Sequence, residues 1–232
     1  MLHRFTGATA LLSALEHALP QPDQLCGPFS ASVALAAVLD DDIPDITAIA
    51  VASGSTIWPG EVHAARPPDS PRITDGWDVL STSESIEAAG TSAAGLAAGI
   101  EAATGNRVLV VSIAQPGASE VSLLLTRLAD ARFRFGLLAN VHTGGLTEFD
   151  WNVGHFVTIW GFDAAEDTAA IGDTYRELGS RTMPPGCRTV PVAALAAAMS
   201  ERGLLLMVNS GDQHAAEHLV CSLNLRSRSW SV

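Results

Sequence analysis

The sequence predicts an α+β fold in which helices come first and strands follow. Helical spacing and alanine enrichment dominate up to about residue 105, whereas short β-branched runs dominate over about 106–232. This segregation, in place of strict strand–helix alternation, favours helices packed on an antiparallel sheet. The 232 residues, 47% of them hydrophobic and 16% charged, are enough for a single domain with a substantial core.

The first part contains several predicted helices. Apolar residues at helical spacing predict one helix over 8–19, which Pro20 and Pro22 end. A second helix is expected from about Cys26 to Leu39, with Pro28 in its first turn, where a missing amide hydrogen costs nothing. Further elements expected in this part are a short helix over 44–53, a long irregular loop over 53–78 and one or two helices over 83–104.

The second part is predicted to form most of the sheet. Its strand-like runs are RVLVVSIA (107–114), FGLLANVHT (135–143), GHFVTIWGFD (154–163), TAAIGDTY (168–175) and LLLMVNS (204–210). Helices are expected over 120–131 and 191–202. Because only residues 164–167 separate the third run from the fourth, these two are expected to form an antiparallel hairpin.

Composition excludes several classes of function. There are 13 basic and 25 acidic residues, a net charge of −12, so we expect no nucleic-acid partner and no attraction to an anionic membrane surface. All the basic residues are arginine, which excludes chemistry that needs a lysine amine.

Several motifs that would mark targeting or cofactor binding are missing from the sequence. It holds no dinucleotide-binding fingerprint, phosphate-binding loop or zinc-ligand cluster, so we expect no cofactor and no metal. It also has no apolar run of membrane-spanning length and no convincing signal peptide, and the protein is expected to be cytoplasmic.

Cys26 is the first candidate for a catalytic residue. It stands at the predicted start of a helix, after an extended segment that contains proline and glutamine. The positive end of a helix dipole and nearby amide hydrogens lower a thiol's pKa and make its thiolate a nucleophile. The alternative is that Cys26 is a small buried hydrophobic residue at a helix start.

His155 and Asp173 are the candidates for a base and for the group that orients it. His155 opens a strand-like run, and Asp173 follows the next run, so hairpin pairing would bring the aspartate near the histidine. Either residue on its own is more often structural. His142 and His63 are other possible bases, although neither opens a hairpin that an aspartate follows.

The ordered set of CGP at 26–28, GHFVTIWGFD at 154–163 and IGDTY at 171–175 resembles the papain-like fold, especially the bacterial leader peptidases that process bacteriocins. The resemblance covers about 15 residues around Cys26 and about 25 around His155 and Asp173. It implies a helical lobe carrying the cysteine packed on an antiparallel sheet carrying the histidine and aspartate.

The resemblance also implies an oxyanion-binding glutamine about six residues before the cysteine. Gln21 and Gln24 lie five and two residues before Cys26, and either could be the donor, as could the Cys26 backbone amide alone. Gln21 is favoured. Trp151 and Trp58 are candidates for substrate contact, Trp151 because it lies on the loop that enters the histidine strand.

Three functions remain open at this point. The first is a cysteine peptidase that forms an acyl-enzyme on a peptide substrate. The second is an acyl or peptidyl transferase in a natural-product pathway that accepts a carrier-bound acyl group. The third is an inactive papain-like binding domain, which would keep Cys26 buried and far from His155. The oligomeric state does not follow from the sequence.

Overall fold

A single antiparallel sheet organises the protein in this computed structural model, which describes residues 1–60, 66–147 and 151–230. The seven-stranded sheet has the order β4-β9-β5-β6-β7-β8, and β1 pairs with the far end of β6. Its strands are β1 (His3–Arg4), β4 (Val108–Ala114), β5 (Phe135–His142), β6 (Gly154–Asp163), β7 (Thr168–Gly172), β8 (Cys187–Pro191) and β9 (Gly203–Asn209). The short strands β2 (Thr56–Ile57) and β3 (Ser81–Thr82) form a separate parallel pair.

Helices cover both faces of the large sheet. The four that precede β4 in the chain are α1 (Ala8–Ala18), α2 (Cys26–Leu35), α3 (Ile46–Ala52) and α4 (Ala93–Ala103). The three that follow β4 are α5 (Ala118–Ala129), α6 (Val192–Met199) and α7 (Gln213–Ser222). No helix in the described ranges is both long and apolar enough to cross a membrane.

Two hydrophobic cores result from the alternation of side chains along the strands. On β5, Leu137 and Ala139 belong to the core under α5, α6 and α7, whereas the intervening Leu138 belongs to the core under α1, α2 and α4. On β9, Leu206 and Leu205 divide in the same way. Because both faces are buried, these strands read as continuous apolar runs.

The predicted mixture of helices and an antiparallel sheet is confirmed, and several boundaries differ. The second helix ends at Leu35 rather than Leu39, because the next residues tighten into i→i+3 hydrogen bonds such as Val38 N to Leu35 O at 2.9 Å. Only the latter part of 83–104 is helical. Ser83 Oγ donates to backbone carbonyls instead, including that of Ser85 at 2.7 Å, and Ser92 begins α4 as its N-cap.

Five elements were not predicted: the two-residue strands β1, β2 and β3, the strand β8 and the helix α7. Residues 187–191 form β8 because β7 offers an edge to pair with. Residues 213–222 form α7, which buries only Ala216 and Val220. One apolar pair at i, i+4 is too weak a signal to identify a helix from sequence.

The site lies where α2 packs on the start of β6. Ser30 Oγ on α2 donates a hydrogen bond of 3.0 Å to the Phe156 carbonyl of β6. Gly27 permits this close approach, since a Cβ there would lie 3.3 Å from the Phe156 ring and 3.2 Å from Leu96. Small residues in α2 therefore set the distance between the helix start and the sheet.

Candidate active site

Cys26 is the first residue of α2 and its side chain is partly exposed. The helix begins without a side-chain cap at Leu25, so its first backbone N–H groups have no partner inside the helix. The backbone N–H groups of Gly27 and of Phe156 on β6 both lower the pKa of the thiol. This position combines access for a reagent with donors that favour a negatively charged sulfur.

The thiolate form of Cys26 is stabilised. Burial raises the pKa of the thiol, but a hydrogen bond to His155, the charge of that imidazole and the two backbone N–H groups outweigh burial. The pKa of Cys26 therefore lies below its ordinary value. A thiolate at neutral pH is the nucleophilic form of cysteine.

His155 is the second residue of β6 and is 2% exposed. Its Nε2 lies 3.0 Å from Asp173 Oδ1 and 3.3 Å from Thr174 Oγ1, which leaves Nδ1 as the ring nitrogen for the thiol. Burial lowers the pKa of His155, but the opposite effects of Asp173 and the Cys26 thiolate are larger and raise it to about 9. Imidazolium is thus the favoured state at neutral pH.

Asp173, which follows the last residue of β7, is held as a carboxylate. Its Oδ2 pairs with Arg188 Nη2 of β8 at 3.1 Å, and its Oδ1 also accepts the Thr174 N–H at 2.8 Å. Burial raises the pKa of Asp173, but His155, Arg188 and this N–H lower it below its usual range. Arg188 therefore supports the aspartate through the carboxylate oxygen that His155 does not use.

The two candidate glutamines lie in different surroundings. Gln21 is 3% exposed, its backbone N–H donates to the Thr174 carbonyl at 3.0 Å, and its Nε2 donates to Tyr175 Oη at 3.1 Å. Both ends of the Gln24 amide instead bind the backbone of Trp58, at 2.7 and 2.9 Å. Each Nε2 keeps one hydrogen that these bonds do not use, but the Gln24 amide is fixed at both its oxygen and its nitrogen to the loop that carries Trp58, whereas Gln21 is bonded through its nitrogen.

Trp151 packs edge-on against the histidine ring. The two ring centroids are 5.1 Å apart, and a second edge contact joins Trp151 to Tyr175 at 5.8 Å. Trp151 is only 2% exposed, so in this conformation it shields the His155–Asp173 pair from water. Substrate contact by Trp151 remains a prediction, and the contacts themselves indicate a positioning role.

The remaining candidates lie further out. Trp58 is partly exposed, and its backbone pairing with Gln24 ties it to the segment just before Cys26. His142, at the end of β5, is partly exposed, and burial and Arg202 lower its pKa. His63 lies outside the described residues. In the described ranges, no group of three or more His, Cys, Asp or Glu side chains could hold a metal ion.

Residues that the sequence interpretation missed are Arg188, Thr174 and Tyr175. Tyr175 stands two residues after Asp173 inside the quoted IGDTY run, so its proximity to the site was within reach of the sequence. Arg188 carried no such signal, because no strand was predicted for the segment that contains it. Only the pairing of β7 with β8 brings it beside the aspartate.

The fold and the side chains define an α+β protein with a clustered cysteine, histidine and aspartate at one end of an antiparallel sheet. The chain belongs to a family described as a family of unknown function (DUF6885), whose model matches residues 5–150 and 144–231. A crystal structure of a "putative C39-like peptidase" from Bacillus anthracis is similar, with a TM-score of 0.48 and 14% identity, covering 83% of this chain and 92% of that one. No curated protein matches the sequence.

Proposed function

We propose that this protein is a papain-like, cysteine-dependent enzyme that attacks the acyl carbon of a peptide or related substrate. The observation that carries the proposal is a buried His155 that is paired with Asp173 at 3.0 Å and that lowers the pKa of the partly exposed residue Cys26. Covalent acyl chemistry requires a nucleophile, a base beside it and a group that orients the base, and Cys26, His155 and Asp173 are suited to these three roles.

In the proposed reaction the Cys26 thiolate attacks the carbonyl carbon, forming a C–S bond and an oxyanion. The bond to the leaving group then breaks, and His155 donates its proton to the departing nitrogen or sulfur. An acyl-enzyme remains on Cys26. His155, now neutral, removes a proton from water or an amine, which attacks the thioester and regenerates the thiolate.

Two donors are available for the oxyanion. The first backbone N–H groups of α2 have no partner inside the helix, and Gln21 Nε2 has a hydrogen that Tyr175 does not use. Donors fixed before the reaction stabilise developing charge without reorganisation. Gln24 is the weaker of the two candidate glutamines, because the Trp58 backbone occupies its amide.

An inactive binding domain would have kept Cys26 buried and away from His155. The partial exposure of Cys26 and the lowering of its pKa by His155 support an active nucleophile instead. Hydrolysis and acyl transfer use the same cysteine, histidine and aspartate, and differ in the acceptor. The substrate we propose is accordingly a peptide or a carrier-bound acyl group, with water or an amine as acceptor.

The test is to incubate the protein with a short peptide thioester and to follow its intact mass. We expect one acyl group on Cys26, and no adduct in Cys26→Ala. Cys221→Ser is the matched control, since Cys221 is an exposed cysteine on α7. An adduct that persists in Cys26→Ala, or none in the wild type, would overturn the proposal. Release by water indicates a hydrolase, and release only by added glycinamide indicates a transferase.

A further inference from the structure

Arg202 lies beside the residue that precedes His155 and is not used in the mechanism above. It immediately precedes β9, and its guanidinium covers Gly154, the residue before His155. A Cβ on Gly154 would lie 3.0 Å from Arg202 Nη1 and 3.2 Å from Nη2. Glycine at this position therefore leaves the space that the guanidinium occupies.

Asn140 also binds the guanidinium of this arginine. Arg202 Nη1 donates to Asn140 Oδ1 at 3.3 Å, and Asn140 is 2% exposed. Asn140 pairs in register with Phe156, whose backbone N–H lowers the pKa of Cys26 and whose carbonyl accepts a hydrogen bond from Ser30 of α2. Gly154 and Asn140 thus hold the guanidinium beside the segment of β6 on which the cysteine helix packs.

No carboxylate in the described part of the chain forms an ion pair with Arg202, and its buried Nε has no hydrogen-bond partner there. Other partly buried arginines behave differently, since Arg188 and Arg134 pair with Asp173 and Asp40. Burial lowers the pKa of Arg202, while the charges of Glu201 and of the Cys26 thiolate raise it. A partly buried guanidinium with unused donors is suited to receive an anion.

We propose that Arg202 binds a carboxylate of the substrate close to the scissile bond, so that the enzyme selects acyl substrates with an acidic group there. This inference rests on the proposed function, because it assigns specificity to the same site. The planar guanidinium matches a carboxylate with paired hydrogen bonds. The carboxylate belongs either to an acidic side chain or to a free C-terminus.

The test compares how fast two reagents alkylate Cys26. Iodoacetate carries a carboxylate and iodoacetamide does not, and both react with the same thiolate. In the wild type, Arg202 should favour iodoacetate, and Arg202→Gln should lower the ratio of the iodoacetate rate to the iodoacetamide rate by about five- to tenfold. Arg202→Lys should restore part of that ratio.

Two further variants make the comparison specific. Arg127→Gln removes an equal charge from an exposed position on α5 and should leave the ratio unchanged. Gly154→Ala keeps the arginine but displaces its guanidinium, so it should lower the ratio as Arg202→Gln does. If Arg202 only stabilised the thiolate, its loss would slow both reagents equally and the ratio would stay constant, which overturns the inference.

The outcome separates this inference from the proposed function. A Cys26 that reacts well below the ordinary thiol pKa of about 8.5, with a ratio independent of Arg202, contradicts the inference alone. A Cys26 that reacts with neither reagent below that pH contradicts the proposed function, and the inference with it.

The source of the carboxylate is distinguished with two larger electrophiles. The iodoacetyl derivative of glutamic acid α-amide has a side-chain carboxylate, and iodoacetyl-glutamine has a terminal one. The derivative whose rate falls in Arg202→Gln identifies the source. Dependence on Arg202 for iodoacetate but for neither derivative would mean that a peptide carboxylate does not reach the arginine, which contradicts the proposal.

Discussion

Cys26 and Cys187 are the same residue type in opposite environments. Cys26 begins a helix, is partly exposed, and the pKa of its thiol is lowered by His155. Cys187 is fully buried in β8, where burial raises the pKa of its thiol to about 12. The comparison indicates that the surroundings of a sulfur set the pKa of its thiol.

Asp173 acts on both cysteines, with opposite results. Its charge raises the pKa of Cys187 directly. For Cys26 the same carboxylate raises the pKa of His155, whose positive charge then lowers the pKa of the thiol. Because the imidazole of His155 mediates the effect of Asp173 on Cys26, a carboxylate that would raise the pKa of a thiol directly instead lowers it.

The largest effect is expected when the imidazole of His155, which links Asp173 to Cys26, is removed. At pH 6 an ordinary thiol is less than about 1% ionised, so wild-type Cys26 should react with iodoacetamide up to about 300-fold faster than an ordinary thiol. His155→Ala should remove most of this advantage. Peptide mass mapping gives the rates, with exposed Cys221 as the internal standard and buried Cys187 expected to stay unmodified. Equal rates at Cys26 in both proteins would contradict the thiolate–imidazolium pair.

The next effect separates stabilisation of the oxyanion from activation of the thiol. Gln21→Ala should slow acylation by a peptide thioester about 100-fold, a typical loss for one oxyanion donor. Alkylation of Cys26 by iodoacetamide should be unchanged, because that reaction forms no oxyanion.

Gln24→Ala is the matched control for that comparison. It removes the two hydrogen bonds to the Trp58 backbone and should lower the unfolding free energy by about 1–2 kcal/mol, with a much smaller effect on acylation. Thermal melting measures the first change and thioester kinetics the second. A larger loss of acylation in Gln24→Ala than in Gln21→Ala would exchange the roles of the two glutamines.

The third prediction concerns pH. His155 must be protonated to act as an acid, so wild-type acylation should fall as the pH rises through about 9. In Asp173→Asn the carboxylate no longer opposes burial, which lowers the pKa of His155. The fall in the acylation rate at high pH, the alkaline limb of the profile, should therefore move to a pH below the ordinary histidine pKa of about 6.5. Acylation at pH 8 then falls about 30-fold.

The control for this shift is Asp163→Asn, at the far end of β6, which alters the ion pair with the N-terminus instead. It should leave the pH profile in place. Partial unfolding of Asp173→Asn would reduce the rate at every pH without moving the limb, so the position of the limb is the decisive readout. A limb that stays near pH 9 in Asp173→Asn would mean that Asp173 does not govern the imidazole.

The strands that carry the site could be predicted because they are buried on both faces and read as apolar runs in sequence. The GHFVTIWGFD run predicted β6 with its bounds, Gly154–Asp163, and the four-residue connection predicted its hairpin with β7. His155 and Asp173 could therefore be expected near each other from the hairpin pattern alone. Their catalytic roles remain predictions that the experiments above address.

The supporting residues could not be predicted, because each depends on contacts between distant parts of the chain. Arg188 reaches Asp173 only through the pairing of β8 with β7, and Arg202 reaches Gly154 only through the order β9-β5-β6. Sequence spacing carries no information on such cross-strand neighbours until the order of the strands in the sheet is known. Which helices cover which face of the sheet could not be predicted either, because that also depends on contacts between distant parts of the chain.

The smallest expected effect tests how Gln21 is held. Tyr175→Phe removes the oxygen that accepts the Gln21 Nε2 hydrogen bond but keeps the ring beside Trp151 and His155. Loss of one hydrogen bond that orients a donor should slow thioester acylation about three- to fivefold, while alkylation of Cys26 stays constant. If both reactions slow together, Tyr175 supports the imidazole rather than the glutamine, and stabilisation of the oxyanion would have to be reassigned to the backbone N–H groups of α2.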